Sequence, residues 1–142
     1  MNSENNLSKV EKETFLSSLP AIDKNMDNFV TIFYNYFLQS GAGPLFENTN
    51  IGKQHKMFST ALNVLLTHID DPEILGDHLD DLIDDHVEYG VIANHIDDFV
   101  SSFMKAIKEI FKDEPTILLE AWQKIVSGIM EYFRNGLNKR EV

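Results

Sequence analysis

Apolar residues recur at helical spacing along most of this chain, and the period-two alternation of half-buried strands is scarce. Ser8-Lys9-Val10-Glu11 reads as a capping box that opens a helix ending by Leu19-Pro20. A second helix is expected over residues 23–39, with Met26, Phe29, Val30, Phe33 and Phe37 as its buried stripe. Gly41-Ala42-Gly43-Pro44 breaks it, and a third helix follows over residues 51–68. Asp70-Asp71-Pro72 starts a fourth, short helical region that Tyr89-Gly90-Val91 closes. Ile96, Phe99, Val100, Phe103, Ile107 and Ile110 form the face of a long helix. Asp113 is expected to cap the last one, with Pro115 in its first turn and Leu118, Trp122, Ile125, Ile129 and Phe133 facing inward. The pattern predicts an all-α protein: a flexible tail over residues 1–7 and a single domain over residues 8–142.

Two of these helices carry a polar group on an apolar face. Leu75, Leu79, Leu82 and His86 recur at spacings of four, three and four. Gln54 stands in line with Phe58, Ala61 and Leu65 on the third helix. A lone histidine on such a face is more often a satisfied core residue than a ligand. Set opposite each other, however, the two faces make a slot with a metal ligand on one wall and a hydrogen-bond donor on the other. A haem fits that description. The second ring nitrogen of a ligating histidine needs an acceptor, and the carbonyl of Leu82, one turn back, is the natural one. Asp85 points elsewhere on the wheel and is assigned no role.

The order of short motifs adds a family resemblance. Phe33-Tyr34-Asn35-Tyr36-Phe37-Leu38 resembles the FYxxFL signature on the second helix of bacterial single-domain globins. Pro44-Leu45-Phe46 is similar to the globin corner whose phenylalanine lies against the haem. TNIGKQHKMF, from Thr49 to Phe58, resembles the distal-helix stretch TDxxxQxxML. LIDDHVEYGV, from Leu82 to Val91, resembles the proximal motif LxxxHxxYGV, and Ala121-Trp122 the AW pair of the last helix. The matches run in family order over nearly the whole chain. The resemblance therefore implies a globin fold of six to eight helices around a pocket for haem b, with His86 as the axial iron ligand.

It also implies that Phe46, Gln54, Phe58, Leu82, Val91, Ile96, Phe99 and Phe103 surround the cofactor. Gln54, with Tyr34 as a second donor, would hydrogen-bond bound dioxygen and other diatomic gases. Each such bond in a dry pocket is worth about 1–3 kcal/mol, so two slow oxygen release by roughly 30-fold or more. The connection from Tyr34 to Phe46 is shorter than the family's, which leaves Ile32 or Tyr36 as alternatives facing the ligand. His55 is a distal rival turned roughly 100° from the face of Gln54, and its simpler reading is solvent-facing. In flavohaemoglobin-like globins a tyrosine and a glutamate support the proximal histidine. The matching positions here are Ile96 and Leu137, which argues against peroxidase-like or dedicated nitric oxide dioxygenase chemistry. No reductase domain is carried, so turnover would need an external reductase.

Composition changes this picture only at the margins. A net charge of −11 argues against nucleic acid or an anionic membrane as partner. Asp77, Asp80, Asp81, Asp84 and Asp85 fall between the leucine positions and read as a solvated face rather than a calcium loop. The chain has no cysteine, so disulfides and thioether-linked haem are ruled out. No apolar run reaches the roughly 18–20 residues that span a bilayer, and MNSENN has no signal-type hydrophobic region. A cytoplasmic protein is expected, and its first and last long helices offer surfaces for an oligomer. The expected function is reversible binding of dioxygen for storage, scavenging or sensing. Nitric oxide dioxygenation and a haem-free regulatory module are the alternatives.

Overall fold

The Ser8 hydroxyl accepts the backbone N–H of Glu11 at 3.0 Å, and the Glu11 carboxylate accepts the backbone N–H of Ser8 at 2.9 Å. The capping box thus closes in both directions. Glu11 also receives Lys124 from the far end of the sequence at 2.9 Å, so one carboxylate starts the first helix and ties it to the last. The computed structural model describes residues 7–140. It contains α1 (Lys9–Lys24), α2 (Met26–Phe37), a short 3₁₀ turn (Gly43–Phe46), α3 (Ile51–Thr67), α4 (Pro72–Glu88), α5 (Ala93–Ile110) and α6 (Thr116–Arg140). No strand occurs among the described residues. The all-α class and the six-helix count expected of the sequence are met.

Several boundaries differ from the expected ones, each for a local reason. α1 does not stop at Pro20 but runs through it to Lys24. An internal proline costs a helix a hydrogen bond, yet Phe15, Ser18 and Ile22 on either side are buried against α6. Phe15 meets the Trp122 ring edge-on at 4.8 Å, and the Trp122 indole N–H donates to Ser18 Oγ at 3.0 Å. Packing on both sides of the proline outweighs its local preference. Asn25 is the actual break between α1 and α2, its amide donating to the Ala21 carbonyl at 2.8 Å. Asp113 lies in the turn before α6 rather than capping it, and Pro115 immediately precedes Thr116. Leu7, counted with the tail by sequence, packs against the core; residues 1–6 of that tail lie outside the described residues.

α6 is the spine: α1, α4 and α5 all pack on it, while α2 packs on α5 and α3 rests on α2. The approach of α4 to α6 is close. A Cβ placed on Gly136 would lie 2.5 Å from Cδ1 of Ile83, a fully buried side chain. α4 ends in a Schellman motif. The Val91 N–H donates to the His86 carbonyl at 3.2 Å and the Gly90 N–H to the Val87 carbonyl at 3.2 Å. Gly90 takes the positive φ of 81° that this closure needs. The Tyr89-Gly90-Val91 stop signal is thus a backbone device anchored on the carbonyl of His86.

Two outcomes test these contacts. Gly90→Ala should lower stability by about 1 kcal/mol, the cost of a side chain in left-handed backbone, as read by chemical denaturation. The Ser8 backbone N–H, and then Lys124, hold the Glu11 carboxyl below its ordinary 4.5. Its contribution to stability is therefore complete above that value and is lost as pH falls through the folded pKa. Glu11→Gln should be less stable than the parent at pH 7, with the gap closing under acid; a gap independent of pH would contradict this.

Candidate functional site

α3 is held from behind by α2 and α4 by α6, and the two helices touch each other little. Near their tight connection His68 and His78 stack at 5.4 Å. Each wall therefore has its own support, and each carries part of the polar set expected from the sequence.

On α4 the apolar stripe divides. Leu75, Leu79 and Ile83 are buried, whereas Leu82 and His86 are half-buried on the neighbouring side. Ile83, absent from the expected stripe, is the residue that locks α4 to α6. The expected partner of His86 is in place: its Nδ1 lies 2.6 Å from the Leu82 carbonyl. A carbonyl can only accept, so Nδ1 must be the donor, and the neutral ring presents a lone pair at Nε2. Burial pushes the His86 pKa below 6.5, against the opposing pull of the Leu82 bond and the Asp85 charge. The ring is thus kept neutral at pH 7. Phe133 and Tyr89 meet it edge-on at 5.2 and 5.7 Å.

On α3, Gln54 Nε2 donates to the hydroxyl of Tyr34 on α2 at 3.0 Å. Tyr34 is 3% exposed, and burial raises its pKa, opposed by the Gln54 bond. It stays protonated, and because its oxygen accepts from Gln54 its own hydrogen is free for another acceptor. Of the residues the sequence left open beside Gln54, Tyr34 is the one that reaches it. Tyr36 instead donates to Glu109 on α5, with Lys105 over its ring at 5.3 Å. Ile32 packs against the core.

His55 departs from expectation. It does not face solvent but stacks on Tyr34, with ring centroids 4.7 Å apart and planes 13° apart. Its side chain packs between α3 and α2 because the Tyr34 ring offers a flat apolar surface there. No periodicity rule marks this contact. It depends on how closely α2 and α3 approach.

Aromatic rings fill the space behind the polar pair. Phe58 stacks on Phe33 at 4.8 Å and meets Phe99 at 6.0 Å; Phe46 meets Tyr34 edge-on at 5.9 Å; Phe103 meets Phe99 at 5.8 Å. The structure therefore gathers Tyr34, Phe46, Gln54, Phe58, Phe99 and Phe103 around α2, and sets Leu82 and His86 together on α4. Val91 is half-buried against the core beyond α4. Ile96 is buried at the α5–α6 seam, on the wall of an open groove of about 350 Å³ with Val100, Met130 and Arg134. Leu137 is buried too, so neither Ile96 nor Leu137 supplies a side-chain partner for His86.

What could such a slot hold? Among the described residues no group of three His, Cys, Asp or Glu is placed to bind a bare metal ion. A single imidazole suits a metal whose other positions are already filled by a macrocycle. Large apolar side chains left exposed among the described residues include Leu45 in the corner, Met57 on α3, Val87 on α4, and Tyr89 and Ile92 in the turn after it. A neutral imidazole, a hydrogen-bonded amide–phenol pair and a cluster of aromatic side chains are residue types that fit a haem. No described helix is long and apolar enough to cross a membrane.

Comparison with known proteins agrees with the fold. No curated protein matches the chain. A family model described as Globin matches residues 32–133, from within α2 to within α6, and spans Tyr34, Gln54, His55 and His86. The match covers most of the chain, and the protein belongs to the globin family.

Proposed function

We propose that this globin binds haem b non-covalently at His86 and reversibly takes up dioxygen and other diatomic gases, for storage, scavenging or sensing. The observation that carries the reading is the state of two polar sets. A neutral imidazole is oriented by the Leu82 carbonyl on α4, and a hydrogen-bonded Gln54–Tyr34 pair sits on α3 and α2. When bound, haem supplies the iron that takes up the gas.

The chain's residues do the rest. Leu82 takes Nδ1 and so leaves the lone pair on Nε2, and burial keeps that nitrogen unprotonated. Phe46, Phe58, Phe99 and Phe103 exclude water, which strengthens every hydrogen bond made inside. Gln54 retains its second amide hydrogen and Tyr34 its hydroxyl hydrogen. Both can be given to a small guest that carries negative charge, and dioxygen in a haem pocket is such a guest. Tight oxygen binding follows. A reductase is part of this reading, because oxidised iron must be returned to its oxygen-binding state. Residues 57–104 contain no Lys or Arg, so a donor docking on this side would be basic.

Two measurements test the reading. His86→Ala should lose or broaden the sharp Soret band of the haem-loaded protein and its shift with carbon monoxide; an unaltered spectrum would remove His86 from the site. Replacing Gln54 with Leu and Tyr34 with Phe together should speed oxygen release by roughly 30-fold or more, at about 1.4 kcal/mol per tenfold. Unchanged off-rates would show that the polar pair does not touch the guest.

A further inference from the structure

His68 and His78 belong to neither polar set of the candidate site, and the fold asks for neither imidazole. His68 ends α3 through its backbone N–H, which donates to the Val64 carbonyl at 3.3 Å, a bond any residue but proline would make. His78 stands in the second turn of α4. The short turn between the helices brings the two rings together, with centroids 5.4 Å and planes 25° apart. Both residues are half-buried, so solvent reaches the pair. As packing alone the choice is poor: two apolar rings would stack as well and need no hydrogen bonds. What paired imidazoles offer instead is affinity for a borderline divalent metal ion. Two imidazoles on one tetrahedral zinc, bound at about 2.0–2.1 Å, have ring centres roughly 5 Å apart. The separation of His68 and His78 is close to that, and a half-turn of either ring about χ2 presents its other edge.

The surroundings favour a cation. Asp70, Asp71, Glu73, Asp77, Asp80 and Asp81 flank the pair in sequence, and no Lys or Arg occurs over residues 57–104. Lys12 of α1 reaches in to pair with Asp70 at 3.2 Å. We propose that His68 and His78 form a two-histidine site for a divalent transition-metal ion of the zinc class, which joins α3 to α4 at their connecting turn. Among the described residues no group of three His, Cys, Asp or Glu is placed to hold an ion, so water takes the remaining positions. Two protein ligands in place of four give about half the free energy of a structural zinc site, a Kd of about 1–100 μM. α3 and α4 otherwise touch little, so the ion adds a link between the helix that carries Gln54 and the one that carries His86. The site is separate from His86 and does not depend on haem.

Calorimetric titration of the full chain with Zn²⁺ tests this. The parent should bind one ion in that range, and His68→Asn and His78→Gln should each weaken it about tenfold or more. Asparagine suits the end of a helix and glutamine its interior, so both variants keep the local structure. The double variant should be weaker than either single one by less than about threefold, because both rings serve one ion. His95→Gln should bind Zn²⁺ as the parent does. In thermal unfolding, Zn²⁺ at about ten times its Kd should raise the parent Tm by about 5 °C, and Mg²⁺ at the same concentration should leave it unchanged. Equal Zn²⁺ affinity in the parent and both single variants would overturn the proposal, as would no binding tighter than about 1 mM. If either variant fails to fold, the two ions on the parent decide: equal stabilisation by Zn²⁺ and Mg²⁺, the mark of carboxylates alone, overturns it.

Discussion

One ring nitrogen of His86 is committed to the carbonyl of Leu82, one turn back in the same helix, at 2.6 Å. That bond decides which nitrogen is a donor, and so which way the lone pair faces. It also requires α4 to be regular through its last turn. The Schellman closure at Gly90 takes the His86 carbonyl itself as an acceptor, so the end of the helix and the orientation of the imidazole are built from one residue. Behind them, Ile83 fits against α6 where Gly136 leaves room. The imidazole is thus fixed from three sides: by its own helix, by the stop that follows it, and by the spine helix, whose Phe133 meets it edge-on.

The opposite wall is organised by a different constraint. α2 is strongly apolar on its inner face, and Tyr34 is buried within it among Phe33, Phe37, Phe46 and Phe58. A phenol in that setting needs a hydrogen-bond partner, and Gln54 on α3 provides it. Polar atoms are therefore confined to a small region of an otherwise aromatic surface. That arrangement lets a slot hold a large apolar group while keeping a few directed bonds for a small guest.

Much of this was legible in the sequence, but by two different routes. Periodicity identified the helices and placed Phe29, Phe33, Phe103, Trp122 and Phe133 in the core, because a helix buries what its stripe presents. It could not separate Leu82 from Ile83, adjacent residues of which only the second enters the α4–α6 seam. It ended α1 at Pro20, because a local rule cannot see Phe15 and Ser18 meeting Trp122 of α6, or Ile22 buried beyond the proline. The ordered motifs supplied the pairing of Gln54 with Tyr34 across two helices, which no spacing argument yields. His55 escaped both routes. It lies off the apolar face of its helix, and only the close approach of α2 and α3 turns its ring onto Tyr34.

The most direct test of the central claim is a titration of the unaltered chain with haem, followed by absorption in the Soret region. The account predicts saturation at one haem per chain, with a sharp band that shifts when carbon monoxide is added. A featureless rise without saturation would contradict it: His86, Gln54 and Tyr34 would then serve the fold alone, and the globin scaffold would be working without its prosthetic group.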